Sequence, residues 1–512
     1  MAENVGESLL EALPCTCHRL ERVELPCGLP ELAMGLGTEP CVFLLDSASD
    51  VGGLGRFSFL AVRPRFVLRV WRAGRRARVQ VDYPGADRGP CEFDTSDPFE
   101  VVRGALRATR VGRSAGVRAG GEDHVPFIGG LVGYIGYEML HFVEEVPEVS
   151  GGGAGLADLL LAGCDTVVAL DHGTDRTYLS VIGRGADRES ARAQADGLLE
   201  ELSGLVDACA SQVGLEDDWE PAGDSASPQW GSSLSQGAYL RTVGEILERI
   251  AAGDLYEMNL TRRVSRAFAG RAERLYARLR QTNPAPFGAY FRFPEASVLS
   301  CSPERFLRLS ADRRVETRPI KGTRPRGTTR REDDRLAREL SASVKDRAEH
   351  AMIVDLLRND LGRVCEFHSV RVPEEMVIER YASVLQMVST VAGRLRPGLD
   401  VVDLLRATFP GGSMTGAPKV AAMKLISRLE PVPRGVYSGC LGYMDARGGC
   451  DLSIVIRTLI LRDGRVHVHA GGAIVADSDP QAEFEEACLK ARALVRAADE
   501  VARRSGQAVR AS

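Results

Sequence analysis

The chain has 512 residues and a mass of 55.4 kDa, which is more than one hydrophobic core usually serves, so the sequence predicts two domains or one large two-lobed unit. Hydrophobic residues make up 44% and charged residues 26%, which is typical of globular proteins and excludes a largely disordered chain. The formal net charge is −5 and the pI is about 6.0. The chain therefore lacks the excess of basic residues that would indicate a nucleic acid or an anionic membrane as a partner.

Targeting signals and cysteine usage predict a cytoplasmic protein. The first residues, Met1 to Glu7, are acidic and no apolar stretch follows them, so we predict no signal peptide. No apolar run approaches the ~18 residues of a membrane span. The 12 cysteines are scattered from Cys15 to Cys488 without a C-x-x-C pair or a zinc-like cluster, so we expect reduced thiols.

The first 209 residues are predicted to form mainly β-strands, followed by one helix. Runs rich in apolar, β-branched and aromatic residues predict strands at 40–45 and 57–70. Residues 164–182 contain two such runs around the polar segment 172–175, which predicts a β-hairpin. Apolar residues at helical spacing then predict a helix at 191–205.

Residues 210–235 differ in composition from the segments on either side. They are rich in Gly, Pro, Ser and Asp and contain few periodic apolar residues, so we predict a linker there. The sequence is therefore divided into an N-terminal region (1–209), this linker, a second domain (236–503) and a short tail (504–512).

The second domain is predicted to mix helices with strands. Helical spacing of apolar residues predicts helices at 239–252, 344–364 and 481–503. Strand-like runs occur at 289–293, 306–309, 452–461 and 466–468. Because strands and helices do not alternate regularly, we predict an α+β fold with hairpins.

Two of the predicted helices carry carboxylates along one face. Asp346 and Glu349 are three residues apart on the first, and Glu483, Glu486 and Lys490 follow one stripe on the second. Carboxylate oxygens on two facing helices suit Mg²⁺, a hard cation. The alternative is that both faces are solvated and that Glu486 only pairs with Lys490.

A glycine-rich segment at 409–419 precedes a predicted helix start. Its backbone N–H groups, together with Lys419, are suited to bind an anion. It is not a nucleotide-binding P-loop, because Pro418 precedes the lysine and Val420 stands where that motif has Ser or Thr. A small carboxylate ligand and a structural turn are both open at this point.

Lys321 lies between Ile320 and Gly322 in a strand-like segment. A lysine desolvated beside a backbone turn can have a lowered pKa and act as a nucleophile. The alternative is an exposed lysine without a catalytic role. Neither a Ser-His-Asp nor a Cys-His-Glu arrangement can be read from the sequence.

Five motifs, taken together and in order, resemble the chorismate-binding enzymes. They are 302–306 (SPERF), 318–326 (RPIKGTRPR), 348–360 (AEHAMIVDLLRND), 411–419 (GGSMTGAPK) and 437–439 (YSG). The resemblance covers about residues 236–500 and extends to the N-terminal region at 46–48, 55–59 and 126–130. It implies an anthranilate synthase component I-like α+β fold, in which antiparallel β-sheets form a sandwich core and helices pack outside.

Within this family, the residue at position 321 separates two amination chemistries. Members that aminate C4 of chorismate carry Lys there, as this chain does, whereas anthranilate-forming members usually carry Ala. The resemblance implies that Lys321 attacks C2 and expels the 4-hydroxyl, and that ammonia then adds at C4 and displaces the lysine. Glu304 would act as general acid and base. The product would be 4-amino-4-deoxychorismate, the precursor of 4-aminobenzoate in folate synthesis.

The resemblance also implies a metal and a set of substrate-binding residues. Glu349 and Glu486 would bind Mg²⁺, with Asp346 and Glu483 acting through water, and the metal would neutralise a chorismate carboxylate. An arginine offers a bidentate match to a carboxylate. The residues implied to bind the substrate's enolpyruvyl carboxylate or to complete the anion pocket are Tyr437, Arg457, Ser413, Gly472 and Lys490.

Three positions depart from the family pattern or match it only in part. Glu257 stands where the isochorismate and salicylate branch has a lysine base and where aminating members often have Gln, so attack of water at C2 is disfavoured. Gln386 stands where many relatives have a His near the substrate ring; it can donate a hydrogen bond but cannot relay a proton. Ser47 matches part of the tryptophan pocket of feedback-inhibited members, although 283–288 departs from their motif.

The resemblance implies a partner as well. The sequence shows no glutaminase motif, so a separate glutamine amidotransferase subunit would supply ammonia, and release of 4-aminobenzoate would require another enzyme. Two alternatives remain: an anthranilate-forming enzyme, and a non-catalytic regulator that binds chorismate or tryptophan. The presence of Lys321, Glu304, Glu349 and Glu486 argues against the regulator.

Overall fold

The computed structural model describes residues 15–85, 88–112, 125–149, 151–209, 229–382 and 384–511. The predicted linker lies mostly outside the described residues. Its last part, 229–235, includes a two-residue strand, Gly231–Ser232, and Ser235, whose side chain caps the helix that begins at Gln236. Among the helices described, none has the length and apolar character needed to cross a membrane.

Two antiparallel sheets form the body of the structure, each with twelve strands among the described residues. The first sheet has the order β1-β10-β9-β3-β2-β13-β14-β23-β24-β12-β11, with β20 beside β12, and the second has the order β17-β19-β16-β15-β22-β21-β7-β8-β4-β5-β6, with β18 beside β19. In chain order the strands are β1 (Cys15–Val23), β2 (Val42–Asp46), β3 (Phe57–Val62), β4 (Phe66–Ala73), β5 (Arg76–Asp82), β6 (Cys91–Thr95), β7 (Gly130–Ile135), β8 (Leu159–Cys164), β9 (Thr166–Asp171), β10 (Arg176–Gly185), β11 (Gly231–Ser232), β12 (Glu257–Ala267), β13 (Phe287–Phe293), β14 (Ala296–Ser302), β15 (Arg305–Leu309), β16 (Arg314–Arg318), β17 (Ile320–Pro325), β18 (Arg371–Arg380), β19 (Val384–Arg394), β20 (Gly416–Ala417), β21 (Cys440–Asp445), β22 (Cys450–Ile454), β23 (Thr458–Arg462) and β24 (Arg465–Val475).

The helices lie on the outer faces of the two sheets. They are α1 (Leu29–Gly35), α2 (Pro98–Thr109), α3 (Arg188–Cys209), α4 (Gln236–Ala251), α5 (Ala272–Thr282), α6 (Arg330–Ala342), α7 (Val344–Gly362), α8 (Val401–Thr408), α9 (Lys419–Leu429) and α10 (Pro480–Ala511), with 3-10 turns at Tyr137–Phe142 and Gly412–Met414. The predictions of helices at 191–205, 239–252, 344–364 and 481–503 are confirmed, with ends that differ by up to eight residues.

The central strands are buried on both faces because the sheets pack against each other as well as against helices. In β2, Phe43 points into the core between the sheets, where Phe59 and Tyr443 from opposite sheets meet with ring centroids 5.4 Å apart. The neighbouring Val42 and Leu44 point the other way, into the core under the helices. Burial of both faces explains the uninterrupted apolar run at 40–45. The predicted α+β sandwich with helices outside is thereby confirmed.

Strands from both sides of the predicted linker share each sheet. β2, from the N-terminal region, pairs with β13, and β7 pairs with β21. The predicted hairpin at 164–182 is confirmed as β9 and β10, which pair antiparallel. The N-terminal region therefore completes the two sheets on which the second domain is built.

The chain passes between the two sheets several times, and two of these crossings lie next to each other. β14 in the first sheet is followed by β15 in the second, and β22 in the second is followed by β23 in the first. The prediction of one strand at 452–461 is wrong, because Val455–Arg457 separates two strands of different sheets. The strand predicted at 57–70 is likewise divided at Arg63. Arg63 and Arg457 both adopt a left-handed backbone, with φ of 49° and 51°, which redirects the chain.

Candidate active site

The two crossings between the sheets place Glu304 and Arg457 beside each other. Ile454 N–H donates to the Glu304 carbonyl at 3.0 Å, and Cys301 N–H donates to the Arg457 carbonyl at 3.1 Å. The Ser302 hydroxyl donates to the Ile454 carbonyl at 2.6 Å. These hydrogen bonds hold the crossings together, so two residues 153 positions apart in sequence meet at the ends of the sheets.

A β-bulge in β17 orients Lys321. The register of β17 against β19 shifts between Lys321 and Thr323, and the intervening Gly322 has a φ of 76°. A Cβ atom at Gly322 would lie 3.0 Å from Leu340 Cδ1 and 3.1 Å from Asp346 Oδ1, so glycine allows α6 and α7 to approach this strand. Bulges redirect side chains in this way at many functional sites.

Lys321 forms a buried ion pair with Glu257, the first residue of β12. Its Nζ donates to Glu257 Oε1 at 2.7 Å; the lysine side chain is 11% exposed and the glutamate is fully buried. Burial acts to lower the pKa of Lys321, but Glu257, Glu349 and Glu304 outweigh it and raise the pKa above the ordinary value. The pKa of Lys321 is therefore raised by its acidic neighbours, and not lowered as its position beside a backbone turn predicted.

Glu304 is a buried carboxyl group in contact with the glycine-rich turn. Burial raises its pKa to about 7, while a hydrogen bond from Ser413 and the positive charges of Lys321 and Arg457 oppose that rise. A carboxyl group with a pKa near neutrality can both donate and accept a proton at physiological pH.

A buried network holds the glycine-rich turn in place. Asn259 Nδ2 donates to the Ser413 carbonyl at 2.9 Å, and Arg434 Nη1 donates to the Met414 carbonyl at 2.7 Å. Arg434 is itself paired with Glu430 through two hydrogen bonds of 2.7 and 2.9 Å. These contacts position the backbone of the turn, and with it the Ser413 hydroxyl.

Tyr437 and Arg457 line the site from the loops around β21 to β23. Tyr437 is buried, and its ring stacks on His469 at a centroid distance of 5.2 Å. Burial lowers the pKa of Arg457, and within the described part of the chain its guanidinium forms no ion pair; Glu304 acts on it only through its charge. A largely buried guanidinium without a carboxylate partner is suited to bind an anionic ligand.

The carboxylates predicted to bind a metal lie at the starts of α7 and α10. Asp346 pairs with Arg324 at 2.6 Å, and Glu349 lies 3.9 Å from Lys345. On α10, Glu483 accepts a hydrogen bond from Ser478 at 2.7 Å.

Gly472 lies directly against this second helix. A Cβ atom at Gly472 would lie 3.1 Å from Glu483 Oε2 and 3.6 Å from Glu486 Oε1. Glu486 pairs with Lys490 at 2.6 Å, and Lys490 also donates to the Gly471 carbonyl at 3.1 Å. Lys490 is therefore engaged with a carboxylate and a backbone carbonyl.

The two carboxylate-bearing helices fit a hard cation by the chemistry of their donors. Lys321 and Lys345 act electrostatically on both Glu349 and Glu486, so the carboxylates surround the same positive groups. Burial raises the pKa of Glu349 and of Glu483, and neighbouring carboxylates raise both further. Within the described residues no three His, Cys, Asp or Glu side chains already converge as a metal shell. A bound Mg²⁺ ion would relieve the repulsion between these carboxylate oxygens.

Gln386, Ser47 and Lys419, which the sequence also indicated, lie in three different parts of the fold. Gln386, in β19, is buried opposite Thr323 of β17, and its Oε1 has no hydrogen-bond partner. Ser47 lies after β2 and donates to the carbonyls of Phe57 and Pro286, at 2.7 and 3.1 Å. Lys419 pairs with Asp360 at 2.5 Å and donates to the Thr408 carbonyl, so it anchors the turn.

Sequence reasoning missed the residues that support the site. The Glu430–Arg434 pair, Asn259 and the Glu257–Lys321 contact were not predicted, because each joins segments far apart in the chain or depends on burial. One signal was available: only five of the 65 basic residues are lysines. They are Lys321, Lys345, Lys419, Lys424 and Lys490. Lys321, Lys345 and Lys490 lie near the site carboxylates. Lysine at these positions is a signal in a chain whose basic residues are mostly arginine.

The site is suited to bind an anionic ligand, because the buried guanidinium of Arg457 lies beside a cluster of carboxylates. The family profile of the chorismate binding enzymes matches residues 72–496. The chain therefore belongs to the chorismate-binding enzyme family.

Similar proteins support this assignment. Anthranilate synthase component 1 of Streptomyces coelicolor is 39% identical over 464 residues, which cover 90% of this chain and 84% of the relative. Aminodeoxychorismate synthase of Streptomyces griseus is 40% identical over 465 residues, which cover 89% of this chain and 61% of that longer relative. The crystal structure of anthranilate synthase component I from Streptococcus pneumoniae TIGR4 superimposes with a TM-score of 0.70 at 30% identity, covering 86% of this chain and 92% of that one.

Proposed function

We propose that this chain is the chorismate-aminating component of an aminodeoxychorismate synthase, which converts chorismate and ammonia to 4-amino-4-deoxychorismate. The observation that carries the proposal is the buried amine of Lys321, within the electrostatic reach of Glu304 and Glu349. The family resemblance associates a lysine at this position with amination at C4. A purely structural lysine would gain little from burial among so many carboxylates.

In the proposed first step, Lys321 and Glu304 act on opposite ends of the chorismate diene. The lone pair of Lys321 Nζ forms a bond to C2, the C1=C2 pair moves between C1 and C6, and the C5=C6 pair moves between C4 and C5. The C4–O bond breaks as the carboxyl proton of Glu304 passes to the departing hydroxyl, which leaves as water. Hydroxide is a poor leaving group, so this proton lowers the barrier.

The second step reverses the movement of the electron pairs. Ammonia forms a bond to C4, both double bonds return to their original positions, and the C2–N bond to Lys321 breaks. The Glu304 carboxylate accepts a proton from the added ammonia. The lysine leaves as the free amine, so the enzyme is regenerated.

The other residues would bind and orient the substrate. Arg457 and Tyr437 would bind the enolpyruvyl carboxylate, and Ser413, Gly472, Lys490 and Gln386 would complete the pocket. Glu349 and Glu486 would hold Mg²⁺, assisted by Asp346 and Glu483; when bound, the ion would neutralise the second carboxylate of chorismate. We further propose that a glutamine amidotransferase subunit supplies the ammonia, in the cytoplasm, for 4-aminobenzoate and folate synthesis.

Formation of anthranilate is the second candidate function, and the names of the relatives favour it. Most of the similar relatives are named anthranilate synthase component 1. The identities to the two kinds of relative are nearly equal, at 39% and 40%, so overall similarity does not separate them.

The product identifies the reaction. Purified protein would be incubated with chorismate, Mg²⁺ and ¹⁵N-ammonium, with and without an aminodeoxychorismate lyase. We expect a ¹⁵N-labelled product that the lyase converts to 4-aminobenzoate. Direct formation of 2-aminobenzoate without the lyase would establish the anthranilate activity instead, and absence of any aminated product would support the non-catalytic alternative.

A further inference from the structure

The carboxylate of Glu257 touches the reacting amine but has no part in the proposed steps. It is the first residue of β12, where the chain also pairs with β20 of the glycine-rich turn. Its Oε1 lies 2.7 Å from Lys321 Nζ, and its side chain is inaccessible to solvent. This is the only side-chain hydrogen bond that Nζ makes within the described residues.

The Glu257–Lys321 pair differs from the buried Glu430–Arg434 pair in its hydrogen bonds. Glu430 has both oxygens satisfied: Oε1 accepts from Thr261 N–H and from Arg434, and Oε2 accepts from Arg434 Nε. Glu257 Oε2, in contrast, is buried without any hydrogen-bond partner. Leaving a buried carboxylate oxygen unpaired costs free energy, so Glu257 Oε2 is an unused proton-accepting atom on the carboxylate that contacts the reacting amine.

The contact also determines the protonation state of Lys321 before reaction. Burial acts to lower the pKa of Lys321, but the surrounding acidic groups raise it overall, so at neutral pH the amine is protonated and has no lone pair to donate. The titratable and charged groups that act on it from the neighbouring elements are Glu257 on β12, Glu304 at the first crossing, Glu349 and His350 on α7 and Glu486 on α10. Among these, Glu257 is the acceptor at hydrogen-bond distance.

We propose that Glu257 is the proton acceptor that converts Lys321 into a nucleophile. The N–H proton of Lys321 passes to Glu257 Oε1, the freed lone pair bonds to C2 of the substrate, and the proton returns to the amine when the C2–N bond breaks. No atom or electron is gained or lost in this cycle. Burial favours it, because the transfer replaces two buried charges by a neutral pair.

The inference rests on the proposed function, but one test does not depend on activity. Because the chain has five lysines, protein labelled with ¹³C at the lysine side chains gives five sets of signals, and Lys321→Arg assigns one by its loss. We expect the Lys321 signal to titrate at a lower pH in Glu257→Gln than in the wild type. Asp254→Asn removes an exposed carboxylate three residues away and should leave that titration unchanged.

The second readout is the pH dependence of amination. We expect Glu257→Gln to lower kcat about 10²- to 10⁴-fold relative to the wild type at neutral pH, as for loss of a general base. The ratio of variant to wild-type kcat should rise towards one as the pH rises and hydroxide removes the lysine proton. Asp254→Asn should retain the wild-type profile. Circular dichroism and thermal unfolding would establish that both variants are folded.

Each outcome decides the inference. An unchanged Lys321 titration in Glu257→Gln contradicts it, as does a lowered titration with wild-type kcat at neutral pH. If Glu257→Gln does not fold, Glu257→Asp withdraws the carboxylate by one methylene, and undiminished kcat in that variant contradicts the inference. If the wild type forms 2-aminobenzoate, the proposed function fails while the Lys321 titration still reports on the ion pair, so the two failures are distinguishable.

Discussion

The hydroxyl group of Ser413 acts on the carboxyl group of Glu304 and lowers its pKa. This interaction joins the glycine-rich turn to the first crossing between the sheets. It opposes the burial that raises the pKa of Glu304 to about 7. The protonation of Glu304, the proposed acid and base, therefore depends on the hydroxyl group of Ser413. The turn that carries Ser413 is held by Asn259 and Arg434, which donate hydrogen bonds to its backbone carbonyls.

Replacement of Ser413 by Ala should move the pH dependence of the reaction. The first step needs protonated Glu304, so activity falls as the pH rises through its pKa. Loss of the Ser413 hydrogen bond removes an interaction that lowers this pKa, so the protonated form persists to higher pH and the alkaline limb of kcat/KM moves upward. Steady-state kinetics between pH 5 and 10 measures the shift.

The control for this experiment is Glu304→Gln, which keeps the shape of the side chain but cannot transfer a proton. We expect kcat to fall about 10²- to 10⁴-fold and the corresponding limb to disappear. A Ser413→Ala variant whose alkaline limb stays in place, or moves downward, would argue against the assignment of that limb to Glu304.

Glu349→Gln should weaken the response to Mg²⁺. Loss of a residue that merely supports a metal ligand typically costs 10- to 100-fold in metal affinity, so loss of a ligand should cost at least about that much. The measurement is the Mg²⁺ concentration that gives half-maximal activity after removal of metal with a chelator.

Asp355→Asn provides the matched control for the metal. It lies on the same helix, α7, and its side chain is 80% exposed, so its Mg²⁺ response should equal that of the wild type. Full activity of the wild type in excess chelator would refute the metal assignment for Glu349 and Glu486.

Arg457→Lys should impair binding of chorismate more than turnover. Lysine keeps the positive charge but lacks the planar pair of donors that matches a carboxylate. Loss of one charge-assisted hydrogen bond costs about 1.5–3 kcal/mol, so we expect KM to rise roughly 10- to 100-fold. Equal loss in kcat with an unchanged KM would show that Arg457 acts elsewhere.

The sequence predicted the parts of this molecule that depend on local patterns. Helical spacing placed α7 and α10, and with them the two pairs of carboxylates around Glu349 and Glu486. The two-faced burial of β2 appears in the sequence as a continuous apolar run. The α+β class followed from such elements, and the order of the motifs indicated the family that the profile match confirms.

Features that depend on contacts distant in sequence could not be predicted in this way. An apolar run continues unbroken through Val455, so the change of sheet before Arg457 leaves no mark in the hydropathy pattern. The pairing of Glu257 with Lys321 joins β12 to β17, and the composition of neither segment indicates it. The expected low pKa of Lys321 failed for the same reason, because the carboxylate that raises it lies 64 residues away.

The nucleophilic role of Lys321 is the central claim, and its conservative variants separate it from an electrostatic role. Lys321→Ala should abolish most C4 amination through kcat, with a smaller effect on affinity for chorismate. Lys321→Arg keeps the charge without a nucleophilic amine, so we expect similar inactivity.

The most direct measurement is the mass of the peptide that contains Lys321 after wild-type protein is incubated with chorismate and Mg²⁺ in the absence of ammonia. We predict an added mass equal to chorismate less one water on that peptide, which disappears when ammonium is supplied. An unmodified peptide, together with near-normal turnover by Lys321→Arg, would contradict covalent catalysis by Lys321.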